Sequence, residues 1–110
     1  MACNERKVGI DIQIPTDKIQ KLHKRFLSET EQSELKIEND TAKLTIAWAA
    51  KEALYKIIGI EAVDFANQLR IFPFEVHKTG KLNAEHVPTE TKFELNYILN
   101  DDFTLVYCLA

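Results

Sequence analysis

Apolar and polar residues alternate over residues 7–14, where Val8, Ile10, Ile12 and Ile14 share one face and Asp11 and Gln13 the other. A period of two marks a β-strand, and Pro15 closes it because proline cannot continue a ladder. From residue 16 the period changes. Ile19, Leu22 and Phe26 follow helical spacing, while Lys18, Lys21, Lys24 and Arg25 make the opposite side basic. Ser28-Glu29-Thr30-Glu31 has the S-x-x-E form of a capping box and predicts a short helix over 29–35. The polar stretch 38–40 is a turn. Asp40 or Thr41 then caps a long helix over 42–58, for which Gly59 supplies a left-handed stop.

The second half reads as strands. Residues 69–75 contain Pro73, which points to a sheet edge or a bulge, and Lys78-Thr79-Gly80 reads as a turn. Residues 92–99 and 103–109 flank Asn100-Asp101-Asp102 as a hairpin. Helices first and an antiparallel meander afterwards predict an α+β fold, an antiparallel sheet packed against one long helix and short helices. No internal repeat, linker or low-complexity segment interrupts it.

With 110 residues, 45% of them hydrophobic and 28% charged, residues 1–110 have the composition of one ordinary globular domain. A domain of this size buries roughly two thirds of its unfolded surface, so a cleft between subunits is easier to support than a large internal cavity. The net charge of −3 argues against a general nucleic-acid binder. No apolar run approaches the roughly 20 residues of a membrane span, and the first residues lack the apolar region of a signal peptide. A cytoplasmic protein without a membrane partner is expected. Cys3 and Cys108 show no C-x-x-C spacing and read as reduced thiols, Cys108 buried in a strand and Cys3 in a loose tail.

The candidate chemistry centres on residues 48–56, where a helix stacks Glu52 and Lys56 one turn apart beside Lys51. Asp11 by itself is an ordinary solvated carboxylate. Gly9, however, removes a side chain where another group can approach the strand, and Gln13 adds an amide oxygen on the same face as Asp11. Asp11, Gln13 and Glu52 together offer oxygen ligands to a hard cation such as Mg²⁺, which takes few carboxylates and completes its shell with water and substrate phosphates. Plainer readings stand beside these. Glu52 and Lys56 also fit an exposed i, i+4 ion pair worth about 0.3 to 0.5 kcal/mol, and Glu31 fits the capping-box glutamate that binds the Ser28 amide. Trp48, Ala49, Ala50, Ala53 and Leu54 on the same turns imply that the charges border a packed surface. His23, His77 and His86 lack zinc-binding spacing, and no nucleophile elbow, Gly-rich phosphate loop or catalytic triad occurs.

Val8-Gly9-Ile10-Asp11-Ile12-Gln13, residues 26–31 and the W-x-x-K-E-A-x-x-K segment at 48–56 agree in order and spacing with the 4′-phosphopantetheinyl transferase superfamily. The chain most resembles the C-terminal half of the surfactin-synthetase-activating type, which is related to holo-acyl-carrier-protein synthase. The resemblance implies transfer of the phosphopantetheine arm of coenzyme A to a serine of an acyl or peptidyl carrier protein, with release of 3′,5′-ADP. Asp11 and Glu52 would hold Mg²⁺ against the pyrophosphate, with Gln13 standing where that type usually has a second acid. Lys51 and Lys56 would contact phosphates, with Glu31 close to the same group, and Glu52, directly or through a metal-held water, would be the base. The resemblance also implies that the basic helix over 16–27 meets the carrier protein.

Two departures accompany the likeness. The family's S-x-S-H segment is absent, and the chain is one half of a bilobal enzyme in length. Short members build their sites between identical subunits, which implies a homo-oligomer, dimer or trimer, while a degenerate relative without activity or a C-terminal fragment fits the same length. A non-catalytic module that binds carrier protein or coenzyme A is the competing reading, and a small structural subunit with Glu52 and Lys56 as surface decoration is the third.

Overall fold

The computed structural model describes residues 8–14, 16–36, 40–59 and 64–109. Its elements are β1 (Val8–Gln13), α1 (Ile19–Phe26), α2 (Glu29–Leu35), α3 (Thr41–Ile58), α4 (Phe65–Gln68), β2 (Leu69–Ile71), β3 (Thr79–His86), β4 (Thr91–Leu99) and β5 (Thr104–Leu109). The strands form one sheet in the order β1-β5-β4-β3-β2, and every neighbouring pair is antiparallel. The architecture is the α+β arrangement that the patterning predicts.

α3 is apolar on more than one side because it lies between the sheet and the shorter helices. Leu44, Ala47, Ala50, Ala53 and Leu54 are among its buried residues, which leaves no wide polar stripe of the kind a surface helix carries. Asp40 caps its first turn by accepting from the Lys43 amide at 2.8 Å. Gly59 ends it with φ at 80°, a conformation that side chains with a Cβ rarely adopt. On the side of α3 away from the sheet, Phe26 of α1, Trp48 of α3 and Phe65 of α4 follow one another with ring centroids 5.0 and 5.7 Å apart, and Tyr55 lies 5.5 Å from Phe65. Such tilted aromatic contacts add stability beyond their buried area.

α2 spans the residues that the capping box predicts. Ser28 accepts from the Glu31 amide at 3.2 Å while the Glu31 carboxylate accepts from the Ser28 amide at 3.0 Å. α1 begins three residues later than expected, after a turn in which the Ile19 amide bonds the Thr16 carbonyl. β2 stops at Ile71, before Pro73, and forms the second edge of the sheet. Beyond it the Tyr97 hydroxyl donates to the Glu75 carbonyl at 2.8 Å and accepts from the His77 amide at 3.0 Å, tying down the link to β3. Thr79 and Gly80, expected as part of a turn, already belong to β3, a strand missing from the sequence reading. Cys108 is buried in β5, and Cys3 lies outside the described residues. No helix among the described residues is long and apolar enough to cross a membrane.

β1 packs the opposite way round from a usual amphipathic edge strand. Gly9 and Asp11 are buried against α3, whereas Val8, Ile10, Ile12 and Ile14 face outward. The reason is distance. A Cβ placed on Gly9 would lie 2.0 Å from the Ala53 carbonyl oxygen and 3.1 Å from the Ile57 methyl carbon, so only the small face of the strand fits against the alanine-lined helix.

Gly9→Ala therefore forces backbone against backbone, which no rotamer relieves. It should destabilise the protein by about 3 kcal/mol or more, read as a lower urea midpoint at unchanged slope. A loss below about 1 kcal/mol would show that strand and helix separate freely, against the packing argument.

Candidate functional site

The close approach of β1 to α3 places three ionisable side chains together at the strand edge. Lys56 reaches across to β1, donating to the Ile10 carbonyl at 2.6 Å and lying 3.4 Å from Asp11 Oδ1. Gln13 Nε2 donates to Asp11 Oδ2 at 2.7 Å, so both carboxylate oxygens of Asp11 have a partner within β1 or α3. Glu52 sits half-buried beside them. Its acidity is weakened, first by burial and second by the negative charge of Asp11, with Lys56 pulling the other way. The i, i+4 ion pair is not formed, because the Lys56 ammonium turns to the strand instead.

Lys51 and Glu31 occupy a second, closed cluster. Both are fully buried, and Lys51 Nζ donates to Glu31 Oε1 at 2.6 Å and to the Phe65 carbonyl at 2.7 Å. Glu31 Oε2 accepts from the Ile71 amide at 2.7 Å. One carboxylate thus joins the start of α2, the middle of α3 and strand β2, and the capping role and the ionic role coexist. Burial lowers the Lys51 ammonium from its ordinary 10.5 to about 8, although the charges of Glu31 and Asp64 raise it. Its protons point into the protein. Of the two lysines, Lys56 is the one whose ammonium stands beside Asp11.

Several partners had no counterpart in the sequence reading. The Ile10 carbonyl, the Phe65 carbonyl and the Ile71 amide are backbone groups whose role depends on long-range pairing. α4 did carry a local signal, since Asp64 accepts from the Asn67 amide at 3.2 Å in the manner of an N-cap.

No group of three or more His, Cys, Asp or Glu side chains suited to a metal occurs among the described residues. The open cluster offers two carboxylates and an amide. That set fits Mg²⁺, which takes one or two carboxylates from the protein and the rest from water and phosphate, and a divalent cation would offset both the burial and the neighbouring Asp11 charge that raise Glu52. The donors do not suit zinc, since nitrogen and sulfur ligands are missing from them.

A five-stranded antiparallel sheet laid against one long helix, with an acidic pair and a lysine at their junction, defines an α+β domain. The model of the 4′-phosphopantetheinyl transferase superfamily matches residues 7–108, and the chain belongs to that family. No curated protein matches the chain significantly.

The closed cluster makes a distinct prediction. The unfolded chain holds the Lys51 proton up to about 10.5 and the folded chain releases it from about 8. Between those values the unfolded state binds more protons, so the stability contributed by this residue rises with pH. Lys51→Met alone should cost about 3 to 5 kcal/mol by stranding Glu31, and Glu31→Gln with Lys51→Met should cost less than that. Urea curves at pH 8 and 10 should show the wild type gaining on the double variant. Equal differences at the two pH values would mean that the amine stays charged.

Proposed function

We propose that the chain is a transferase that moves 4′-phosphopantetheine from coenzyme A to a serine of an acyl or peptidyl carrier protein in the cytoplasm, with Mg²⁺, as one half-length domain acting in a homo-oligomer. The observation that carries this reading is the convergence of Asp11, Glu52 and Lys56 where β1 meets α3, in a member of this family. Asp11 and Glu52 would hold the cation, with Gln13 fixing the orientation of Asp11. Bound Mg²⁺ would supply positive charge against the pyrophosphate oxygens.

The serine oxygen forms a bond to the phosphorus bearing the pantetheine arm, and the bond from that phosphorus to the bridging oxygen breaks to release 3′,5′-ADP. The serine proton passes to Glu52. With the cation held between Asp11 and Glu52, the proton would reach Glu52 directly or through a water that the cation holds. Lys56, with its ammonium half-exposed beside the cluster, contacts the phosphate oxygens and stabilises charge as it develops. Lys51 and Glu31 act from behind. Their buried pair fixes the rotation of α3 that turns Glu52 toward β1.

The basic side of α1 suits an acidic carrier protein. Lys18, Lys21, Lys24 and Arg25 are all exposed on or beside this helix, and a local field steers association even when the whole chain is acidic.

An apo carrier protein incubated with coenzyme A, Mg²⁺ and this protein should gain the mass of phosphopantetheine. Glu52→Gln should lower the rate by about a hundredfold or more, and Asp11→Asn should raise the Mg²⁺ concentration needed. No mass gain with any carrier would favour a binding module, and a fully active Glu52→Gln would remove the base. Reversing Lys21 and Lys24 to glutamate should slow carrier association at low salt and leave coenzyme A binding unchanged. Association indifferent to both charge and salt would move docking elsewhere.

A further inference from the structure

Gln13 turns its amide nitrogen, not its oxygen, toward the cluster where β1 meets α3. Nε2 donates to Asp11 Oδ2 at 2.7 Å, and an ionised carboxylate only accepts, so the end that faces it is the donor. A hard cation takes the other end. Half a turn of the terminal amide, whose last torsion is broad and two-fold, would bring the oxygen round. It would also leave the N–H groups half-buried and in need of an acceptor, and an unmade hydrogen bond there is costly.

The strand pairing places an acceptor beside them. Thr104 of β5 stands directly opposite Gln13, and opposite residues of an antiparallel pair share a face with Cβ atoms about 5 Å apart. Thr104 is fully buried, yet its Oγ1 bonds to nothing among the described residues. Thr45, also buried, shows the usual outcome, its hydroxyl donating to the Thr41 carbonyl at 2.7 Å. A buried hydroxyl without a partner is rare and costs stability, so it calls for a reason. Packing alone supplies none, because valine has nearly the same shape and would fill the position without that cost.

We propose that Thr104 is a positioning residue for Gln13. Its hydroxyl accepts from Gln13 Nε2 when the amide oxygen turns to a divalent cation held by Asp11 and Glu52, so that the neutral third donor of the cluster becomes a ligand. The inference rests on the cation reading of that cluster and adds the group that makes the amide usable. One amide serves two partners in turn, and the hydroxyl is unpaired in only one of the two arrangements.

Binding of Mn²⁺ to the full chain, read from the loss of its free paramagnetic resonance signal and displaced by Mg²⁺, measures the site without any transfer reaction. Thr104→Val should raise the dissociation constant about fivefold to tenfold, the worth of one hydrogen bond, while its urea midpoint without added cation stays at or above that of the wild type. Thr104→Ser should bind as the wild type does. Gln13→Leu should weaken binding by a similar factor, and adding Thr104→Val to it should weaken binding no further. An effect of Thr104→Val that persists beside Gln13→Leu overturns the proposal. So does wild-type affinity in Thr104→Val, or a fall in its urea midpoint, which would mean that the hydroxyl already holds the fold together. Saturable binding that Asp11→Asn leaves unchanged, or no saturable binding by the wild type, overturns the cation reading itself and this role with it. Binding that needs Asp11 and ignores Thr104 overturns this role alone.

Discussion

The contact between Gly9 and the Ala53 carbonyl governs the architecture. A strand can come this near a helix only if it offers no side chain at the crossing and the helix offers small ones, and Ala49, Ala50 and Ala53 meet that condition. Once the crossing is that tight, the strand has no choice of face. Its small and polar residues must go in and its isoleucines out, which is why Asp11 is buried beside Glu52 and why an apolar surface is left on the outside. Site and surface are two results of one steric demand.

The two charged clusters show how helical phase divides labour between neighbours in sequence. Lys51 and Glu52 are adjacent, and about 100° of rotation sends one toward α2 and α4 and the other toward β1. The Lys51 side is closed and tied together, since both oxygens of Glu31 are bound and the ammonium has two acceptors. Such a cluster holds elements in place. The Glu52 side is open, with like charges close together and one half-exposed ammonium. A half-buried carboxylate beside a like charge, only partly offset by Lys56, is what a bound cation would relieve.

What the sequence made legible was local. The capping box at Ser28 and Glu31, the Asp40 cap, the span of α3 and the β4–β5 hairpin all rest on residues within a few positions of one another. Asp11, Gln13, Glu52 and Lys56 could be grouped because strand and helix periods say which side chains share a face. The same periods do not say which face is inside, and the inward side of β1 depended on a contact 44 residues away. β3 escaped notice because Lys81, Asn83 and Glu85 are poor strand formers whose pairing with β4 decides the matter. α4 has four residues, too few to display a period. The enclosure of Lys51 turned on the Phe65 carbonyl, which no pattern of side chains reveals.

The aromatic row through α1, α3 and α4 has a spectroscopic consequence. Trp48 is the protein's single tryptophan, and it is held between Phe26 and Phe65. Phe26 lies on the underside of α1, the helix whose other side is basic, so the indole senses that helix from within. Its emission is a built-in gauge of how firmly α1 sits on the rest of the molecule. A partner that lifts or presses the helix would change the polarity around the ring, and an event confined to the outer sheet face would leave it dark to the change.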